Sequence, residues 1–156
     1  MTFSAPLIWS SATAIIVAIL GGLLTDVGPW YRSLRKSRLN PPDWLFGPAW
    51  TVIYILTVMA FLAAWEGAIS VAGQRLLISV FLVNATLNIA WSALFFRIKR
   101  PGLALFEVGL LWASVLALIL ACMPMSQIAV VYLVPYLLWV TFAGYLNLRV
   151  VRDNHL

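Results

Sequence analysis

Hydrophobic residues fill five stretches of the chain, each about as long as a helix that crosses a membrane. A hydrocarbon core about 30 Å thick is spanned by about 20 residues of α-helix. Four of the stretches contain no charged residue, and one contains only Glu107, near its start. The pattern predicts an all-α integral membrane protein, a five-transmembrane-helix bundle formed by a single domain over residues 1–156. The predicted spans are 5–24, 44–65, 76–96, 102–125 and 128–148.

The composition supports a chain that is surrounded by lipid. Hydrophobic residues make up 63% of it and charged residues 10%, with a mean hydropathy of +0.99. A soluble domain carries roughly 45–50% apolar and about 25% charged residues. The first stretch lacks a basic leader and is too long for a cleaved signal peptide, so we expect it to be a span. Uninterrupted apolar helices also argue against an outer-membrane barrel.

The basic residues predict the orientation of the chain. With five spans, nine of the ten lysines and arginines fall on one side of the membrane and only Arg75 on the other. The positive-inside rule makes the basic side cytoplasmic, with the N-terminus outside and the C-terminus in the cytoplasm, in a membrane that we expect to be a bacterial cell membrane. The net charge of +5 is thereby explained without a nucleic-acid partner.

Few residues offer ordinary catalytic or metal-binding chemistry. The chain has one cysteine, Cys122, and one histidine, His155, so neither an internal disulfide nor a cluster of such metal ligands is expected. No phosphate loop or metalloprotease motif is present. We therefore expect no metal, no required cofactor and no conventional hydrolytic or redox site.

Glu107 is the one charged residue inside a predicted span. It has two interpretations: an intramembrane carboxylate on a proton or ligand path, or a side chain near the end of its helix that reaches water or pairs with Lys99 or Arg100.

The first connection, residues 25–43, is the only long one. Pro29, Pro41 and Pro42 argue against a continuous helix there, because each proline removes a backbone donor. Trp30 and Tyr31 fit an interfacial aromatic belt. They equally fit a lid, a stiff loop that folds over the helix ends and closes a cavity.

Aromatic and amide side chains recur at helical spacing in three spans. Asn84 and Asn88 lie one turn apart, and amides in hydrocarbon must face the bundle interior, another helix or a polar ligand. The stripes are Phe46, Trp50, Tyr54 and Phe61; Asn84, Asn88, Trp91 and Phe95; and Tyr132, Tyr136, Trp139 and Ala143. Such stripes serve either helix packing or a cavity for a flat, largely apolar ligand, whose few polar contacts would come from Asn84, Asn88 and Tyr54.

Two further features concern helix packing. Gly109, Ala113, Ala117 and Ala121 form a row of small residues in the fourth span, which suits close approach of another helix within the bundle or in a dimer. Pro135 lies inside the fifth span, where a kink is expected.

Four sequence blocks carry a family resemblance. They are WYRSL at 30–34, NPPDWLFGPAWTVIY at 40–54, LNIAWSALFF at 87–96 and VPYLLWVTFAGYLNLRVVRDN at 134–154. In order and spacing they resemble the translocator protein family, also called tryptophan-rich sensory proteins or peripheral benzodiazepine receptors. One departure lies in the loop, where the family usually reads K-P-x-W-x-P-P. Here Ser37 and Leu39 replace the proline and the tryptophan.

The resemblance implies a five-helix bundle, often a homodimer, with a ligand pocket under the first loop. It implies binding of protoporphyrin IX or haem as a ligand, by a sensor, regulator or carrier. The alternatives are a transporter of porphyrin or sterol-like ligands and a light-dependent porphyrin-degrading enzyme, in which Trp50 and Trp139 would carry the radical chemistry. The implied ligand-binding residues are Tyr31, Trp50, Tyr54, Asn84, Asn88, Trp91, Trp139, Phe142, Ala143 and Leu146.

Overall fold

The structure, a computed structural model, describes residues 5–155. All regular structure in that range is helical, and five helices are long and apolar enough to cross a membrane, so the predicted five-span bundle is confirmed. A 3₁₀ turn, Asp43–Leu45, leads into the second span. The helices are α1 (Ala5–Leu24), α2 (Pro29–Ser33), α3 (Phe46–Gly67), α4 (Val71–Ser92), α5 (Pro101–Cys122) and α6 (Gln127–Asn154).

The five long helices close into a ring in the order α1, α3, α6, α5, α4. Within this ring α5 and α6 pack most extensively against each other, and both bury leucine, valine and alanine side chains. By contrast, only Val17 and Gly21 of α1 are buried. The α1 helix is therefore peripheral and closely packed only in its second half.

The two ends of the bundle differ in their connections. One end, which we call the lid end, carries the long connection 25–45, the turn 98–100 and the C-terminus of α6. The other, the opposite end, carries only the short turns 68–70 and 123–126. Arg75 lies near the opposite end and the other basic residues lie near the lid end, as the predicted topology requires.

The α3 helix ends two residues later than predicted, at Gly67, and α5 ends three residues earlier, at Cys122. Two other spans extend further beyond their predicted apolar limits. The α4 helix starts at Val71 because Ser70 caps it, its Oγ accepting from the Gly73 N–H at 3.0 Å. The α6 helix continues through Arg149 to Asn154, and it stays helical across Pro135. Polar helix ends of this kind lie outside the hydrocarbon but keep the helical hydrogen bonds. The length of the apolar stretch therefore underestimates the length of the helix.

A π-helical turn, Ala93–Arg97, ends the third span at the lid end. Its wider turn lets the consecutive residues Phe95 and Phe96 both be buried. Lys99 follows with a left-handed φ of 58°. The turn therefore delivers two adjacent rings to the interior beneath the long connection.

Candidate functional site

The long connection folds over the lid end of the bundle. Tyr31 is only 5% exposed, and its ring lies 5.5 Å from Phe96 and 6.4 Å from Phe95, measured between centroids. The Trp30 ring meets Phe95 edge to face at 6.1 Å. The connection thus has the geometry of a lid, and we use that name for residues 25–45.

Few polar contacts hold the lid to the C-terminal part of α6. The Arg35 N–H donates to Asn154 Oδ1 at 2.9 Å, and Asn154 Nδ2 donates to the Arg35 carbonyl at 3.0 Å. The hydroxyls of Ser37 and Tyr145 lie 3.4 Å apart. A lid with so few anchors is a candidate for the low-stability, mobile elements through which ligands enter proteins.

A hydrogen-bonded turn occupies the part of the lid where the family's proline and tryptophan are missing. The Asn40 N–H donates to the Ser37 carbonyl at 3.0 Å, and the Leu39 N–H donates to Ser37 Oγ at 3.2 Å. Leu39 itself is 64% exposed, so it contributes no ring to the interior. Local hydrogen bonds therefore fix the backbone of this part of the lid in place of the absent proline.

Beneath the lid is a small cavity of about 30 Å³, which we call the lid cavity. Its lining contains three polar atoms with no hydrogen-bond partner among residues 5–155: Trp91 Nε1 and both side-chain atoms of Asn147. Sequence analysis missed Asn147, although it lies one turn after Ala143 on the same helix face. The lining residues are Tyr31, Asn40, Phe46, Trp91, Phe95, Phe96, Ala143, Leu146, Asn147 and Val150.

A second, larger cavity of about 410 Å³ lies between α1, α3 and α4, toward the opposite end. We call it the lateral cavity. Six aromatic residues contribute to its walls beside small and aliphatic ones, and Tyr54, Asn84, Asn88 and Tyr136 form its inner side. It shares no lining residue with the lid cavity.

The inner side of the lateral cavity is a continuous chain of hydrogen bonds. Tyr54 donates to Asn88 Oδ1 at 3.0 Å, and Asn88 Nδ2 donates to the Tyr136 hydroxyl at 3.0 Å. Tyr136 donates to Asn84 Oδ1 at 3.1 Å, and Asn84 Nδ2 donates to Ser114 Oγ at 2.8 Å. The chain links α3, α4, α5 and α6, which explains how two buried amides are tolerated.

An aromatic wall stands between the two cavities. Trp50 stacks on Tyr54 at 5.6 Å and meets Trp139 edge to face at 6.3 Å. Trp139 in turn lies 6.0 Å from both Phe46 and Phe142. These indoles pack against each other and line neither cavity.

The residues expected to form one site are thus distributed over three places. Tyr31, Trp91, Ala143 and Leu146 line the lid cavity. Tyr54, Asn84 and Asn88 line the lateral cavity. The remaining three belong to the wall: Trp50, Trp139 and Phe142.

Positive charge is concentrated at the lid end of the bundle. Lys36 Nζ lies 4.0 Å from the centroid of the Tyr31 ring, and Lys99 Nζ lies 5.8 Å from that of Trp30, both in cation–π geometry. Burial raises the pKa of the Tyr31 hydroxyl above its ordinary value. The mouth of the lid cavity is thus cationic and can attract an anionic group.

Glu107 is buried in α5, 6% exposed, and neither carboxylate oxygen has a partner within the described range. The interpretation that it pairs with Lys99 or Arg100 is therefore wrong for this conformation. No group of three or more metal-ligating side chains occurs in residues 5–155.

The small-residue row of α5 faces outward. Gly109, Ala113 and Ala117 are exposed, and an added Cβ at Gly109 would meet no atom within 4 Å. The row is therefore available to a second helix from outside the bundle and takes little part in packing within it.

A ring of five apolar helices with a lid and a cavity of about 410 Å³ defines a small integral membrane protein with space for a ligand. The sequence profile of the TspO/MBR family matches residues 10–152. The "Tryptophan-rich protein TspO" of Chlorobaculum tepidum is 36% identical over 125 residues, which are 80% of this chain and 79% of the relative. The "Tryptophan-rich sensory protein" of Cereibacter sphaeroides is 36% identical over 135 residues, 85% and 82% of the two chains. The human "Translocator protein" is 31% identical over 127 residues, 81% and 75%. The chain belongs to the TspO/MBR family.

Proposed function

We propose that this protein binds a tetrapyrrole, such as protoporphyrin IX or haem, beneath its lid and acts as a membrane sensor, regulator or carrier of that ligand. The names of its relatives, which include sensory and translocator proteins, agree with such a role. The observation that carries the proposal is the convergence of aromatic rings and unpartnered polar atoms under a weakly anchored, cationic loop.

The described conformation is the closed form of this site. A cavity of about 30 Å³ has room for one water molecule or a group of similar size. A tetrapyrrole therefore enters only if the lid lifts and Tyr31 leaves its place against the paired rings of Phe95 and Phe96. The planar ligand then stacks on Trp91 and Phe95, which already lie face to face at 5.5 Å.

The polar groups divide between the two ends of the ligand. At the buried end, Trp91 Nε1 and the Asn147 amide gain the hydrogen-bond partners that they lack in the closed form. At the mouth, the propionates lie near Lys36 and Lys99 and remain partly hydrated, which avoids the high cost of burying a carboxylate among apolar walls.

A fluorescence titration of purified protein with protoporphyrin IX tests the proposal. We expect saturable quenching of tryptophan emission and a strong loss of affinity in Trp91→Leu. Trp50→Ala and Trp139→Ala are expected to weaken binding by loosening the wall behind Phe46. Trp112→Leu is the control, because Trp112 lies on the outer surface and donates to Thr141 at 2.9 Å. Equal affinity in Trp91→Leu and Trp112→Leu would reject the lid site.

The proposal also includes the orientation of the protein in its membrane and its contact with a second copy. The lid end faces the cytoplasm of a bacterial cell, because nearly all basic residues lie there. A second copy of the chain packs along the outward row that contains Gly109 and Ala113.

A further inference from the structure

The lateral cavity is open to the bilayer. Its walls include Trp9 of α1 and Ile78 and Leu82 of α4, which are 71%, 41% and 49% exposed on the surface that lipid covers. Of the α1 residues, only Val17 and Gly21 are buried, and both lie in the second half of the helix. A molecule in this cavity therefore comes from the hydrocarbon phase, where an ionised group is strongly disfavoured.

Part of the cavity wall is a cluster of three aromatic rings. Phe61 stacks on Trp65 at 5.6 Å with 23° between the ring planes, and Phe81 meets Phe61 edge to face at 5.1 Å. All three rings line the cavity. Rings of this kind favour a planar guest, since a planar guest can contact their faces and edges over its whole area.

The inner side of the cavity offers hydrogen-bond donors. Each carboxamide nitrogen carries two hydrogens. Asn84 Nδ2 donates one bond, to Ser114, and Asn88 Nδ2 donates one, to Tyr136. Both side chains are more than nine-tenths buried and line the cavity, and within residues 5–155 each retains one N–H without an acceptor. The hydroxyl hydrogens of Tyr54 and Tyr136 are already engaged with the amide oxygens. The two free amide N–H groups can therefore donate to a hydrogen-bond acceptor on a bound ligand.

We propose that the lateral cavity binds a neutral, planar carbonyl compound dissolved in the bilayer, of the quinone class, with one carbonyl oxygen accepting from the free N–H of Asn88 or Asn84. A quinone meets each requirement: it is uncharged, flat, soluble in hydrocarbon and an acceptor without a donor. This site is independent of the proposed tetrapyrrole site, because the two cavities have no lining residue in common.

The test compares duroquinone with durene, the hydrocarbon of the same methylated ring without the two oxygens. Saturable quenching of tryptophan emission in detergent gives the affinity of duroquinone, and displacement of duroquinone gives that of durene. One hydrogen bond predicts that duroquinone binds about three- to tenfold more tightly. Because this comparison uses the unaltered protein, it does not depend on the folding of any variant.

A pair of variants on α1 locates the site. Ala14 lines the cavity, so Ala14→Phe fills it and is expected to weaken duroquinone binding at least tenfold. Ala12→Phe adds the same ring on an exposed face of the same helix and is expected to leave binding unchanged. Protoporphyrin IX should not compete with duroquinone.

Equal affinities for duroquinone and durene would overturn the proposal, since the cavity would then recognise apolar volume alone. Equal losses in Ala14→Phe and Ala12→Phe, or no saturable binding of duroquinone, would overturn it as well. None of these results bears on the tetrapyrrole titration, whose outcome depends on Trp91.

Discussion

Replacing Asn147 by leucine is expected to weaken tetrapyrrole binding without destabilising the empty protein. Asn147 is 1% exposed, and neither of its side-chain polar atoms has a partner in residues 5–155. An unsatisfied buried polar group costs about 1–3 kcal/mol. Leucine has a similar size and no polar atoms, so the substitution removes this cost without leaving a large void.

Asn147→Leu is expected to increase the stability of the empty protein slightly and to decrease its affinity for the ligand. The free energy of unfolding should rise by up to about 1 kcal/mol, less than the full penalty, because the lid cavity has room for one water that can partly satisfy the amide. Loss of one hydrogen bond to the ligand should raise the Kd for protoporphyrin IX by about two- to tenfold.

Asn84→Leu is the matched control, since it removes an amide whose bonds to Ser114 and Tyr136 are 2.8 and 3.1 Å long. It should destabilise the protein by about 1–3 kcal/mol, because it leaves those partners unsatisfied. Unfolding in sodium dodecyl sulfate, followed by circular dichroism, measures both variants. If Asn147→Leu loses as much stability as Asn84→Leu, Asn147 is a structural residue and the reasoning fails.

Three further predictions concern the lid, a helix contact and the dimer. Lys36→Met should raise the Kd for protoporphyrin IX about two- to fivefold, because a partly exposed ion pair contributes about 0.2–1 kcal/mol. It should leave the Kd for the uncharged dimethyl ester of protoporphyrin IX unchanged, and a fluorescence titration compares the two ligands. Gly67→Ala should lower the free energy of unfolding by about 1–3 kcal/mol, since an added Cβ would overlap the carbonyl of the α5–α6 turn, whereas Gly22→Ala has open space and should not destabilise the protein in the same denaturant titration. Ala113→Leu should reduce chemical crosslinking of two copies, and Ala18→Leu, on another exposed helix face, should not; equal crosslinking would remove the α5 row as the interface.

The helices could be predicted from sequence because apolar length alone determines whether a segment spans a membrane. The helix ends could not, since Ser70 and Arg149 continue regular hydrogen bonding outside the hydrocarbon. The buried placement of Asn84 and Asn88 was also predictable, because amides in lipid must find partners. Helical spacing located these residues on an inner face, and their partners Tyr136 and Ser114 appeared only with the packing of four helices.

The division of the aromatic residues between two cavities was beyond sequence reasoning. Helical periodicity places Trp50 and Trp139 on inner faces, but side-chain rotamers and helix crossing angles decide whether two indoles enclose a space or pack on each other. The π turn had no visible signal either, and it alone lets Phe95 and Phe96 both point inward. Asn147 could have been predicted, because it is an amide one turn after Ala143 and so continues the stripe of the fifth span.

Locking the lid tests the central claim most directly. Arg35→Cys and Asn154→Cys are introduced together at the point where the Arg35 backbone now contacts the Asn154 side chain, and their oxidation to a disulfide is verified by mobility on a non-reducing gel. If a tetrapyrrole enters beneath the lid, the oxidised protein should lose saturable protoporphyrin IX quenching and regain it on reduction. Undiminished quenching in the fully oxidised protein would contradict the account.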